Sequence, residues 1–207
     1  MKRDSTAWEK IFKEHGKVFL EPHWDMANVV KQLQSIPAQN ILDLGCGTGR
    51  QLIYLAQHGF SVYGLDNSQE GIKASTQWLQ AEKISAELVL QEMTEKLPWD
   101  DDFFDAIVSV QVIHHADVAT IKKIIAEMER VLVKGGFLFV TVPKMKNQAT
   151  RYEEIEPNTF VPLDGWEIGL PHHYFTPEEL RMFLSNFDIV DLHLDPAEHY
   201  CVSAFKR

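Results

Sequence analysis

The chain has 207 residues, 45% of them hydrophobic and 24% charged, with a formal net charge of −10. That length suits one domain with a sizeable core and is cramped for two. The acidic balance disfavours non-specific affinity for phosphate backbones or anionic membranes, and no segment reaches the ~18 apolar residues of a membrane span.

The opening "MKRDSTAWEK" lacks an apolar run of signal-peptide length. The two cysteines, Cys46 and Cys201, therefore read as reduced thiols and the chain as cytoplasmic. The sequence shows neither an internal repeat nor a low-complexity segment.

The first 35 or so residues carry Trp8, Phe12, Phe19 and Trp24 and read as one or two helices over the sheet edge or the crevice. Asn40–Leu44 is a buried strand. "RQLIYLAQHG" is a helix with Gly59 as its C-terminal cap. Residues 61–66 form a second strand, 69–83 a helix, 86–90 a third strand and 104–110 a fourth. Val118, Ile121, Ile125, Met128 and Leu132 step by threes and fours, so they share one helix face. Lys134-Gly135-Gly136 stops that helix, and "FLFVTV" (137–142) is a fifth strand.

Residues 143–175 hold Pro157, Pro162, Gly165, Gly169 and Pro171 and read as a long irregular insert on the substrate side. "TPEEL" restarts a helix, with Thr176 as N-cap, Pro177 in the first turn and Glu179 at the capping-box position. "DIVDLHL" (188–194) and "YCVSAFK" (200–206) fit an antiparallel pair. The sum is an α/β, Rossmann-like, doubly wound sheet of seven strands. It is mostly parallel, with an antiparallel C-terminal pair and helices on both faces. Such a sheet binds ligands at the carboxyl ends of its strands.

"ILDLGCGTGR" (41–50) lies at such an end. A strand, a glycine turn and a helix make an anion site, because helix N–H groups are free and glycine admits a close ligand. The spacing Gly45, Gly47, Gly49 differs from the dinucleotide fingerprint, since Arg50 falls where its third glycine would be. Asp43 beside the turn would repel a pyrophosphate. It suits a ligand carrying a positive charge alongside its own carboxylate, such as an amino acid moiety. Asp66 ends the second strand about 20 residues after the turn, the spacing of an acid that accepts from a ribose hydroxyl. A ribose together with an amino or sulfonium group describes S-adenosylmethionine.

These stretches resemble the class I S-adenosylmethionine-dependent methyltransferases of the broad small-molecule type. "LDLGCGTG" (42–49) is similar to their glycine loop and "VYGLDNS" (62–68) to their ribose-binding strand end. "LQEMTEKLPWDDDFFDAIVSVQVIHHAD" (90–117) resembles the run from the adenine contact through the fourth strand. "EMERVLVKGGFLFVTVP" (127–143) and "HHYFTPEEL" (172–180) resemble the elements that follow. The resemblance covers about residues 40–207. It implies that Asp43, Leu44, Gly45, Cys46, Gly47 and Gly49 surround the methionine part. It places Asp66 and Asn67 at the ribose, Glu92 and Met93 at the adenine, and Val110 and Gln111 against the cofactor. The adenine position in this family is often Asp-Ala; here it is Glu92-Met93.

Other patterns read blandly. "DDFFD" (101–105) imitates a metal-binding motif but reads as a solvated turn entering the fourth strand. His114-His115 and His172-His173 lack helical metal spacing, and adjacent histidines on a strand point to opposite sides, so no metal is expected. His115, His173 and Tyr174 are instead the candidate bases at the acceptor side. Cys46 reads as an inert packing group, and the N-terminal aromatics as packing groups.

Methyl transfer from a sulfonium is a direct displacement in which the protein supplies alignment and water exclusion. A small-molecule acceptor is the favoured partner. The insert's Tyr152, Phe160, Trp166, Glu153, Glu154, Glu156 and Glu167 suit an uncharged, aromatic or cationic acceptor. RNA or protein methylation is the alternative, kept open for RNA by Lys144, Lys146 and Arg151. A non-catalytic cofactor-binding module is a further one.

Overall fold

The computed structural model describes residues 6–145 and 151–207. Two helices lead, α1 (Thr6–His15) and α2 (Met26–Gln34). Then β1 (Asn40–Leu44), α3 (Arg50–Gln57), β2 (Ser61–Asp66), α4 (Gln69–Ala81) and β3 (Ala86–Leu90) alternate. After β4 (Phe104–Val110) come α5 (Val118–Val131) and β5 (Leu132–Pro143). The insert carries β6 (Tyr152–Glu156), β7 (Thr159–Pro162) and β8 (His172–His173). The chain closes with α6 (Pro177–Phe183), β9 (Phe187–Leu194) and β10 (His199–Lys206).

The main sheet has seven strands in the order β3-β2-β1-β4-β5-β10-β9. The first five run parallel, and β10 is antiparallel to both of its neighbours. Chain order reverses between β1 and β4, so the crevice opens at their carboxyl ends. The expected sheet is therefore the one formed.

Period-two alternation sorts the strand residues onto two cores. Leu42, Leu44 and Ile107 pack under α5 and α6, whereas Ile41, Ala106 and Val108 pack under α2 and α3. Both faces are thus covered, as parallel strands require. Caps set the helix starts. Ser68 Oγ accepts from the Gly71 N–H, Asp117 Oδ1 accepts from Thr120, and Thr176 and Glu179 form a reciprocal capping box. Gly59, at φ 92°, follows the C-cap of α3. Among the described residues no helix is long and apolar enough to cross a membrane.

Two details differ from the sequence reading. β5 begins at Leu132, directly off α5, because Leu132 pairs with Phe104 at the edge of β4. The insert is not irregular: β6, β7 and β8 make an antiparallel three-stranded sheet. Its first hairpin turns at Asn158, whose φ of 63° is the left-handed value that Asn tolerates. The "DDFFD" carboxylates disperse to separate partners: Asp101 to Arg130, Asp102 to Lys206, and Asp105 to the backbone N–H groups of Gln39 and Asn40.

Candidate functional site

A cavity of about 620 Å³ opens at the ends of β1, β2 and β4. The glycine loop forms one wall. Gly45, Gly47 and Gly49 all have positive φ, 77°, 52° and 94°. At Gly45 a Cβ would lie 2.4 Å from the Val112 side chain, so the absent side chain admits the β4–α5 turn. At Gly49 it would lie 2.5 Å from Ser75 Oγ, so this glycine seats α3 against α4. The loop is fastened to β2 by Gly45 and Cys46 N–H groups donating to the Leu65 carbonyl.

Asp43 is 1% exposed and faces the cavity, and its Oδ2 has no hydrogen-bond partner. Burial pushes its carboxyl up to about 7, against the pull of Arg50 and with a further push from Asp66. A buried carboxylate oxygen without a partner is an unmet demand for a cation or donor. Asp66 is raised by burial too, although it accepts from the Ser68 N–H (2.9 Å) and the Gly47 N–H (2.8 Å). Asn67 Nδ2 donates to both Glu92 oxygens at 3.2–3.3 Å, which joins the two acids expected at ribose and adenine. Gln111 sits at φ 60° with its amide held on Thr141 Oγ1.

Asp43, Gly45, Cys46, Gly47, Asp66, Asn67, Glu92, Met93, Val110, Gln111 and His115 all line this one cavity. Leu44 and Gly49 do not. Leu44 alternates into the core, and only its carbonyl is used, accepting from Ser109 Oγ. Burial raises the Cys46 thiol, in keeping with an inert group.

His173 and Tyr174 do not reach the crevice. Alternation along β8 turns His172 into the cavity and His173 away from it. His173 is fully buried, with Nδ1 against Thr159 Oγ1 at 2.8 Å and its ring between Phe175 and Phe183. Tyr174 is buried against Phe160. His115 does face the cavity, but burial, with help from His172, depresses it to about 3. An imidazole that weak is poorly matched to proton abstraction at neutral pH.

A family model for the methyltransferase domain matches residues 42–140. Over that stretch, just under half of its length, the chain is similar to a methyltransferase domain. An uncharacterized family member of Synechocystis sp. is 33% identical over 57% of this chain and 54% of its own length. A Drosophila melanogaster tRNA N(3)-methylcytidine methyltransferase is 23% identical over 84% of this chain and 58% of its own. The chain thus spans about half the length of the curated relatives it matches. Among solved structures, the 1,6-didemethyltoxoflavin-N1-methyltransferase of Burkholderia thailandensis aligns over 98% of this chain and 86% of its own. The TM-score is 0.77 at 17% identity, a likeness of fold.

The family pattern leaves several cavity residues unexplained. Arg50 lies over the Phe19 ring at 4.8 Å and reaches Asp43 electrostatically. Trp8, Phe12, Phe19 and Trp24 line the cavity instead of serving only as packing groups. α1 is held over the site by Glu9, which accepts from Ser68 Oγ at 2.6 Å and from the Glu70 N–H. Buried Asp195 accepts from His23 Nε2 and His199 Nδ1, both at 3.1 Å, and both rings line the cavity. No spacing signals that trio, since His23 and Asp195 meet across nearly the whole chain. Of the basic cluster, Lys144 pairs with Glu198 at 3.3 Å, and Lys146 lies outside the described residues.

Proposed function

We propose that this protein transfers a methyl group from S-adenosylmethionine to a small-molecule acceptor. The observation that carries the reading is Asp43 Oδ2, buried and unpartnered on a residue that lines the cavity beside the glycine loop. It fits the cofactor's α-ammonium group. Arg50, close enough to shift Asp43, fits the α-carboxylate. Asp66 retains lone pairs for the ribose hydroxyls, Glu92 for the adenine amino group, and Met93 and Val110 supply apolar walls.

Bound there, S-adenosylmethionine would supply an electrophilic methyl group for transfer to an acceptor lone pair, with S-adenosylhomocysteine as the leaving group. The chain's part is alignment and exclusion of water. α1, the segment that joins it to α2, and the insert close the cavity with Trp8, with Phe19 and Trp24, and with Glu167 respectively. The volume lies within the ~300–1,000 Å³ typical of small-molecule sites. His115 then orients the acceptor instead of deprotonating it. The net charge of −10 and the Lys144–Glu198 pair favour a small acceptor over RNA. The two free cysteines, Cys46 and Cys201, fit a cytoplasmic setting.

Calorimetry with S-adenosylmethionine, S-adenosylhomocysteine and NAD tests the cofactor. The first two bind and raise the melting temperature, and NAD does neither. Binding of NAD alone would overturn the reading. A radiolabelled methyl-acceptor screen of small molecules beside total tRNA tests the acceptor class, and labelling of tRNA alone favours the RNA alternative.

A further inference from the structure

His114 and His115 are not on a strand. They occupy the turn between β4 and α5, which brings both rings to one side with centroids 3.9 Å apart. β8 delivers His172 to the same place, 5.6 Å from His114 and 4.7 Å from His115 by ring centroid. One ligand atom from each of the three lies within 4.8 Å of the other two. The insert adds Glu167, with Oε2 3.1 Å from His172 Nε2 and Oε1 3.8 Å from His115 Nε2. All three histidines are buried, and the cluster forms one end of the cavity.

The hydrogen bonding of this cluster is incomplete. His114 Nδ1 and His115 Nδ1 are buried with no partner. His172 Nδ1 lies 2.8 Å from the Leu170 carbonyl, which can only accept, so that nitrogen carries the proton. His172 Nε2 stands 3.1 Å from Glu167 Oε2, which ties the insert's carboxylate to the cluster. Converging lone pairs and one carboxylate are what a cation would satisfy, and a backbone carbonyl fixing the tautomer is the usual support of a ligating imidazole.

We propose that His114, His115, His172 and Glu167 bind one first-row divalent transition-metal ion at the acceptor end of the cavity, with Zn2+ as the reference ion. Three imidazoles and one carboxylate suit zinc, iron(II), cobalt or nickel. Calcium and magnesium take all-oxygen sites, and no thiolate is present to favour copper(I). Two other clusters of possible ligands, His23/Asp195/Cys201 and Asp25/His193/Cys201, are different. In them each ring nitrogen has a partner, His23 with Asp195 and the Asp25 N–H, His193 with Asp25 and Asp191, unlike the orphaned nitrogens of His114 and His115. The cluster borders the cavity, so an acceptor bearing an oxygen, nitrogen or sulfur donor can complete the shell. This placement does not depend on the methyl-transfer reading.

The test uses the full chain, stripped with a chelator and dialysed. Zn2+ is titrated against a chromophoric competitor, and Co2+ is added separately for its visible ligand-field spectrum. Wild type takes up one equivalent, with a four- or five-coordinate cobalt spectrum and a raised melting temperature. His115→Ala, His172→Ala and Glu167→Gln each weaken binding at least about tenfold. His58→Ala, at an exposed site, leaves it unchanged. Absence of stoichiometric uptake by wild type overturns the proposal whether or not the variants fold. Uptake that survives His115→Ala and His172→Ala but is lost in Cys201→Ser overturns it equally, by assigning the ion to the other clusters.

Discussion

Asp43→Asn should raise the stability of the free protein and weaken its hold on the cofactor. In the fold the carboxyl titrates near 7 against an ordinary value of 3.8. Between those values the native chain binds more protons than the unfolded chain, so stability falls as pH rises through that window and the loss is complete above it. A difference of about 3 units at 1.36 kcal/mol each sets a ceiling of about 4 kcal/mol at pH 8. Asn does not titrate, so the variant escapes this loss. Its cofactor-free melting temperature should exceed wild type by several degrees at pH 8 and match it near pH 4. Binding runs the other way. An ammonium group seated against Asp43 favours the ionised form, so wild-type affinity for S-adenosylhomocysteine falls about tenfold per pH unit below 7. At pH 5.5 that amounts to about 30-fold. The variant binds more weakly at pH 8 and shows no such slope. Scanning fluorimetry and titration calorimetry from pH 5.5 to 8 measure both effects. An affinity that stays flat across that range in wild type, or a variant that binds as tightly as wild type at pH 8, refutes the placement of the ammonium group.

The fold was legible because its signals are local and repeated. Ile41-Leu42 and Leu44 in β1, the glycines after it, and the α5 stripe from Val118 to Met128 each point to one state, and their alternation dictates a covered parallel sheet. The insert was not legible. Glu153 and Glu154 lie exposed on a hairpin with little apolar alternation, and Pro157 and Pro162 read as breakers although Pro157 sits in the turn and Pro162 ends β7. β8, of two residues, is held by its pairing with Thr159 and Phe160 and by the His173 N–H donating to the His114 carbonyl, all distant in sequence.

The site divides in the same way. Asp43, Asp66 and Glu92 sit at strand ends, where chain order alone brings them to the crevice. His172 and His173 are adjacent, and only the register of β8 on β7 decides which one faces the cavity. The rule that neighbouring histidines diverge holds for that pair and fails for His114-His115, because the latter leave the strand before they are reached. Trp8, His23 and Asp195 converge through tertiary packing of segments with no common pattern, so no spacing could announce them.

Asp66→Ala should weaken cofactor binding by about 1–3 kcal/mol, read by calorimetry, through loss of the ribose acceptor and release of the Gly47 N–H. His115→Ala should lower turnover at least about tenfold with S-adenosylmethionine binding retained. His173→Ala should act on the fold, destabilising it by about 2–3 kcal/mol in denaturant titrations, because it removes the Thr159 bond and packing against two phenylalanines. The Arg50 guanidinium lies over Phe19 and beside Asp43, so Arg50→Ala removes both a charge and a packing surface. The two roles separate with a pair of ligands. S-adenosylhomocysteine carries the amino acid carboxylate, and 5′-methylthioadenosine shares the nucleoside without it. If Arg50 holds the carboxylate, the variant loses about 1.5–3 kcal/mol of binding for the first ligand and none for the second. An equal loss for both means that Arg50 acts by supporting Phe19 over the nucleoside. No loss for either places the carboxylate on another group and leaves Asp43 as the anchor of the ammonium alone.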